Sequence, residues 1–409
     1  MTERSLRKET SKPIQAYQKA RRYSMVRRTF RLVALTMVLL ALATATGYAA
    51  PPIMSAQGAI LMDAKTGQVL YDRNIHKKLA PASTTKIMTA IIAIESGRLD
   101  EMTRVSAHAA STGGSSLNLY PGQSITLREL VTGLLLRSGN DAAVAIAEHL
   151  AGSTDAFVDI MNQKAASLGA VHTHFRNPHG LSAPNHVSTA FDLAWIARYA
   201  LTNPTFAQIV STKETNIEWL DRKGGSQERN LRNTNKLLWM LEDADGVKTG
   251  TTNAAGPCLV SSATRNNQKL IAVVLHDHSR WYDSMQLLKY GFDNYDLYEY
   301  IEQGAVLAAL PVENGMTGIV DALVAEPGSL VVNAADYPSV AVEIDLPEKI
   351  KAPVYQGQKI GEIIFYVQDK AVKTVDLVAG NAVEESTLSK ILLTHWLDTM
   401  RRLSGWGLL

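Results

Sequence analysis

The stretch CLVSSATRNNQKLIAVVL, Cys258 to Leu275, decides how the rest of the chain is read. Two apolar runs, 258–264 and 269–275, flank Arg265-Asn266-Asn267-Gln268. Asparagine tolerates the left-handed backbone of a tight turn, so the stretch predicts a β-hairpin. A second hairpin is expected earlier. There Gly58-Ala-Ile-Leu-Met and Gln68-Val-Leu-Tyr are strands around the turn residues Asp63-Ala-Lys-Thr-Gly67. Between the two, apolar residues recur with the helical period over 84–95, 127–136, 141–150, 154–168 and 189–201. Thr189 and Asp155 suit helix starts, and Gly152 and Gly169 suit helix stops. A further helix is expected over 281–292. Strands, a helical block, strands and a helix predict an α+β fold, with an antiparallel sheet packed against helices and a separate helical cluster.

Beyond residue 300 the character changes. Short β-type runs such as Val340-Ala-Val-Glu-Ile are separated by Gly, Pro, Asn and Asp, which predicts a small all-β domain over 298–383 without a catalytic cluster. The last segment, 386–409, reads as an amphipathic helix. Leu388, Leu392, Trp396, Leu397, Met400 and Leu403 fall on one half, and Lys390, Asp398, Arg401 and Arg402 on the other. Such a helix suits a membrane surface, with packing on the β domain as the alternative.

The 409 residues carry a net charge of +2, and that charge is unevenly placed. Residues 1–31 hold ten Lys and Arg against two Glu, leaving 31 basic and 37 acidic residues in the remainder. The folded part is therefore mildly acidic, which argues against a nucleic-acid partner. An apolar run of about fifteen residues, Leu32 to Thr46, follows the basic segment and ends near Gly47-Tyr48-Ala49. This reads as a signal peptide over 1–49, with an uncleaved anchor as the alternative. Arg27-Arg28-Thr29-Phe30 leaves both the general and the twin-arginine export routes open. Either route puts the functional part outside the cytoplasm. The single cysteine, Cys258, excludes an intrachain disulfide and a multi-cysteine zinc site. It is expected as a buried residue of its strand. His172-x-His174 and His276-x-His278 lack a third ligand at a recognisable spacing, so neither metal nor cofactor is expected.

Three short motifs carry the chemistry: Ser83-Thr84-Thr85-Lys86 at a helix start, Ser138-Gly139-Asn140 between two helices and Lys248-Thr249-Gly250 on a strand. A serine hydroxyl needs an adjacent base to become a nucleophile. Lys86 lies one helical turn from Ser83, on the same face. An amine serves as base only where desolvation or nearby positive charge lowers its pKa. Lys248 supplies that charge if its strand passes Ser83. Ser138 is placed to relay a proton and Asn140 to hold a substrate amide. Ser83 at the helix start aims its N–H toward a developing oxyanion. The order and spacing of the three motifs make them one site.

With these motifs the chain resembles the low-molecular-mass penicillin-binding proteins that act as serine-type D-alanyl-D-alanine carboxypeptidases. Pro81-Ala-Ser-Thr-Thr-Lys86, Asn177-Pro-His-Gly-Leu181, Asn233-Thr-Asn-Lys-Leu-Leu-Trp239, Asp245-Gly-Val-Lys-Thr-Gly250 and Asn253-Ala-Ala-Gly256 all carry the likeness. The resemblance implies a transpeptidase/β-lactamase-like catalytic domain over 53–297. It implies removal of the terminal D-alanine from peptidoglycan stem peptides through an acyl-enzyme, in wall maturation and control of cell shape. Ser83 would be the nucleophile, Lys86 the base, Ser138 the relay and Asn140 a substrate-amide contact. Lys248, Thr249 and Gly250 would bind the substrate end, and the N–H groups of Ser83 and Thr251 would form the oxyanion hole. β-Lactams should acylate Ser83. A class A-like β-lactamase is the nearest enzyme rival, but Gly139 stands where such enzymes carry an aspartate. A non-catalytic β-lactam sensor is the rival of another class.

Overall fold

The computed structural model describes residues 50–387 together with Lys390, Leu392, Trp396, Leu397, Thr399 and Met400. The expected signal peptide lies outside the described residues. So does most of the expected terminal helix; its few described positions are helical, with Leu392, Trp396 and Leu397 exposed. Among the described residues no helix is long and apolar enough to cross a membrane.

The chain opens with the expected hairpin, β1 (Gly58–Asp63) and β2 (Val69–Arg73). A 3₁₀ turn, Ala82–Thr85, leads into α1 (Lys86–Glu95). Then come β3 (Met102–Arg104), α2 (Ala107–Ala110), β4 (Ser124–Thr126), α3 (Leu127–Arg137), α4 (Asn140–Ala151) and α5 (Thr154–Ser167). After α6 (Ala190–Leu201) and α7 (Pro204–Ser211) the hairpin β5 (Glu214–Leu220) and β6 (Ser226–Arg232) precedes the single turn α8 (Leu237–Met240). Strands β7 (Ala244–Thr252), β8 (Gly256–Arg265) and β9 (Gln268–Leu275) follow, then α9 (Arg280–Asn294).

The five strands β2-β1-β9-β8-β7 form one antiparallel sheet in that order. Its inner strands are buried along most of their length because helices cover both faces. Ile271, Val273 and Leu275 of β9 pack with Ile60, Met62 and Val260 against α1, α3, α4 and α6. The alternating Leu270, Ala272 and Val274 pack with Leu61 and Leu259 against Leu287 and Leu288 of α9. Each such large side chain contributes about 1.5–3 kcal/mol by leaving water. The turn at Arg265–Gln268 is as read, with Asn266 and Asn267 at φ 48° and 68°. Thr189 caps α6 by accepting from Asp192 N, and Ser153 caps α5 with Asp155 in its first turn.

The all-β part holds β10 (Tyr295–Ile301), β11 (Val306–Glu313), β12 (Ile319–Val324), β13 (Gly328–Asn333), β14 (Val340–Asp345), β15 (Ile350–Lys351), β16 (Lys359–Val367) and β17 (Lys370–Ala379). Six of these form a sheet in the order β14-β16-β17-β12-β11-β15, and β10 pairs with β13. Strand β10 continues directly from α9 and crosses the position expected for the domain boundary at 297/298.

Candidate active site

The sheet ends at β7, which pairs with β8 along one side and faces the 3₁₀ turn with the other. How close the two come is set by Gly250. A Cβ added there would stand 2.9 Å from Ser83 N, 3.0 Å from the Ala82 Cβ and 3.1 Å from Thr84 N. Only a residue without a side chain lets the strand lie this near. Opposite it, Gly180, at φ +89°, presses against the carbonyl of Ala82, where a Cβ would fall 1.8 Å from the oxygen. Ala82 itself takes φ 49°, a left-handed backbone that the two flanking glycines hold in place. Ser83 thus sits in the first turn of a helical segment, where a backbone N–H has no acceptor within the helix.

Lys86, Asn140, Lys248 and Gly250 of the sequence-predicted residues meet around Ser83 here. Lys86 is fully buried at the start of α1, with Nζ 2.9 Å from Ser83 Oγ. Two further oxygens surround it: Asn140 Oδ1 at 2.7 Å and the His179 carbonyl at 2.6 Å. Both are pure acceptors. Burial, reinforced by the charge of Lys248, holds the amine well below the ordinary lysine range. Nζ donates to all three oxygens, the Ser83 hydroxyl included.

Lys248 is also buried, with Nζ 3.2 Å from the Thr249 carbonyl, and burial together with the charge of Arg280 lowers it to about 7. Ser138 follows the end of α3 at φ 64°, with a buried hydroxyl that has no hydrogen-bond partner among the described residues. Asn140 opens α4, and both ends of its amide are engaged: Nδ2 donates to the Gly113 carbonyl at 2.6 Å. The side chain thus spans Lys86 and the 113 loop. The neighbouring Asp141 fastens that loop by accepting from Leu117 N, Leu119 N and Ser116 Oγ.

Sequence reasoning missed three contributors. The His179 carbonyl reaches Lys86 because Asn177 Oδ1 accepts from Gly180 N at 2.7 Å and Thr89 Oγ1 donates to the Pro178 carbonyl at 2.6 Å, fixing the loop. The imidazole is itself pushed down to about 3, chiefly by burial and then by Lys86. Thr234 Oγ1 lies 3.2 Å from Thr249 Oγ1, and its place within Asn233-Thr-Asn-Lys was the available signal. Arg280 Nη1 donates to the Gly250 carbonyl and to Thr251 Oγ1. No motif announces Arg280, because it arrives from the start of α9. Cys258 is buried on β8, its thiol pushed up to about 11 by burial, as suits a packing residue. Among the described residues no group of three metal-binding side chains occurs.

Comparison with known proteins agrees with this geometry. The D-alanyl-D-alanine carboxypeptidase family model matches residues 45–279, and that of the penicillin-binding protein 5 C-terminal domain matches 295–385. The chain is 36% identical over 318 residues to the D-alanyl-D-alanine carboxypeptidase DacF of Bacillus subtilis, covering 76% of this chain and 81% of the relative. It is 33% identical over 350 residues to DacC of Escherichia coli, with 82% and 86% covered. Among solved structures, penicillin binding protein 5 from Haemophilus influenzae superposes with a TM-score of 0.73 at 30% identity, over 82% of this chain and 100% of that one.

Proposed function

This chain belongs to the D-alanyl-D-alanine carboxypeptidase family, and from that membership we propose that it removes the terminal D-alanine from peptidoglycan stem peptides through an ester on Ser83. The neutral amine of Lys86 takes the Ser83 proton as Oγ attacks the penultimate carbonyl carbon. The N–H groups of Ser83 and Thr251 receive the developing oxyanion. The amide C–N bond breaks, and the departing amine takes a proton relayed from Lys86 through Ser138. Water then enters with Lys86 as base, the ester is cleaved and Ser83 is regenerated. Proton transfer of this kind contributes about 10²–10⁴-fold. Lys248, Thr249 and Arg280 hold the terminal carboxylate, and Asn140 holds the Lys86 amine in place. β7 ends its sheet, and its edge toward the 3₁₀ turn, which pairs with no strand, suits an extended peptide laid along it.

The observation that carries this reading is a buried Lys86 amine, held below the ordinary lysine range, that stands 2.9 Å from the Ser83 hydroxyl with two further acceptors around it. β-Lactams share the reactive carbonyl and the carboxylate of such a peptide and would stop at the ester. The leader and the exposed apolar residues Leu392, Trp396 and Leu397 support work at the outer face of the cell membrane. The test is release of D-alanine from diacetyl-L-Lys-D-Ala-D-Ala, with the mass of the penicillin adduct mapped by peptide. Release by the native enzyme and labelling at Ser83 that vanishes in Ser83→Ala are expected. Labelling that persists in Ser83→Ala would refute the assignment.

A further inference from the structure

The carbonyl that meets Lys86 comes from a loop whose two ends pair with each other. His174 N donates to the Val187 carbonyl at 2.8 Å, and Val187 N donates to the His174 carbonyl at 3.0 Å. The next residue, Ser188, pairs in the same way with Leu79, just ahead of the 3₁₀ turn that holds Ser83. Within this frame lies His186, 3% exposed, with the Phe175 ring edge-on to it at 5.9 Å. Its Nδ1 accepts from Arg176 N at 3.1 Å, and its Nε2 stands 2.9 Å from Thr85 Oγ1. A ring nitrogen that accepts a backbone N–H carries no proton of its own. The neutral imidazole therefore bears its proton on Nε2 and donates it to Thr85. Burial, and after it the charges of His174 and Lys86, push the imidazole down to about 4, so the neutral form holds at neutral pH.

These contacts close a circuit around the base. Thr85 is joined to Lys86 through the chain, and Lys86 Nζ donates to the His179 carbonyl at 2.6 Å. His179 lies three residues beyond Arg176, and the imidazole joins Arg176 back to Thr85. Resting on the function proposed above, we propose that His186 is a positioning residue for the base. Its Nε2-protonated ring sets the distance between the start of α1 and the His179 carbonyl, and so holds the Lys86 amine beside Ser83 Oγ. His186 is buried and acts through Thr85 and the 176–179 segment rather than on substrate. Proton transfer requires the two heavy atoms within hydrogen-bond reach, and a misplacement of about 1 Å caused from outside the reacting centre costs up to about 10²-fold in rate. An imidazole that served only the fold would lower the Tm and leave the turnover of folded enzyme as it was.

The test uses the full chain with diacetyl-L-Lys-D-Ala-D-Ala and with penicillin. Thr85→Val keeps the shape of the side chain and removes the acceptor, whereas Thr85→Ser keeps the acceptor. His186→Phe keeps a planar ring and removes both ring contacts. Thr85→Val and His186→Phe are each expected to lower kcat and the penicillin acylation rate about tenfold, with KM changed by less than about twofold. Thr85→Ser is expected to retain most of the native kcat. The double variant Thr85→Val with His186→Phe should lose no more than His186→Phe alone, because the two residues share one hydrogen bond. Native kcat in folded Thr85→Val overturns the proposal, and so does a Thr85→Ser variant as slow as Thr85→Val. Losses that multiply in the double variant make the two residues independent and overturn it as well. Where His186→Phe does not fold, the two Thr85 variants decide by themselves. Folded native enzyme that neither releases D-alanine nor takes up penicillin at Ser83 overturns instead the function on which the proposal rests.

Discussion

Arg280 holds the carbonyl of Gly250 at 2.7 Å from thirty residues further along the chain. The same nitrogen reaches Thr251 Oγ1 at 2.8 Å and the Cys258 carbonyl at 3.2 Å, so one guanidinium ties β7 to β8 where the strand meets Ser83. It also lowers Lys248, after burial, by the repulsion of like charges. Arg280→Leu is therefore expected to do two things. Loss of the ties displaces the strand, and kcat/KM falls about 10²-fold. Loss of the repulsion lets Lys248 stay protonated to higher pH. The descending alkaline limb of kcat/KM, set in the native enzyme by a group near 7, should move upward in the variant. A pH profile whose alkaline limb stays in place would count against Lys248 as the carboxylate partner.

Asn140 supplies a neutral acceptor to Lys86 at 2.7 Å. Asn140→Asp keeps the shape and introduces a negative charge at that distance. An opposite charge favours the ammonium form and raises the amine. The amine then stays protonated to higher pH, and activity at pH 7 is expected to fall about 10²-fold and to recover partly in alkaline buffer. The check is the ascending limb of kcat against pH, which should shift upward. A loss of equal size at every pH would make Asn140 a structural residue only.

Gly250→Ala tests the close approach of strand and turn. Its Cβ would meet backbone atoms at Ser83 and Thr84 near 3 Å, and backbone cannot give way like a side-chain end. Overpacking of this kind costs about 1–3 kcal/mol, seen as a lower Tm. The oxyanion donors would also separate, and kcat/KM should drop about 10²-fold with penicillin acylation slowed in step. A variant with native acylation kinetics would show that the spacing has slack.

Residues 386–409 are proposed as the membrane contact. The β-bridges Val354–Val383 and Gly315–Glu385 lie before the cut, so a chain ending at Glu385 keeps the all-β part closed. Such a chain is expected to stay in the supernatant when spun with anionic vesicles, and to keep D-alanine release from soluble peptide. Full-length protein should sediment with the vesicles. Equal sedimentation of the two would place the contact elsewhere.

Much of this was legible because period and turn chemistry act locally. The hairpin at Arg265–Gln268, the Thr189 cap and the stop after Gly152 need only neighbouring residues to be read. The motif residues Ser83, Lys86, Ser138, Asn140 and Lys248 were found because their order is informative even when each alone is not. What stayed hidden depends on tertiary approach. The β5–β6 hairpin alternates weakly, with mostly exposed or half-buried residues, so no apolar period marks it. His179 contributes through its main chain, which has no side-chain signature. Arg280 acts across two strands, and Asn140 accepts from the Lys86 amine, a contact its position in a turn motif does not reveal.

Lys248 shows how the site opposes stability. It is 1% exposed, and its pKa of about 7 lies far below the 10.5 of a free lysine. Between those two values the unfolded chain binds a proton that the folded one does not. Stability therefore rises with pH across the window of about 7 to 10.5, and the full cost of the buried charge is present below it. Lys248→Met removes the titrating group while keeping a flexible apolar stem of similar length. The variant is expected to be more stable than the native enzyme by about 1–2 kcal/mol at pH 7, with the gap closing toward pH 10. Its kcat/KM should collapse, since no cation remains for the substrate carboxylate. Paired Tm measurements at pH 6, 7, 8.5 and 10 decide the matter. If the native enzyme and the variant run parallel across that range, Lys248 keeps an ordinary lysine pKa in the fold. Lys248 would then stay charged across neutral pH and lower Lys86 by repulsion throughout that range.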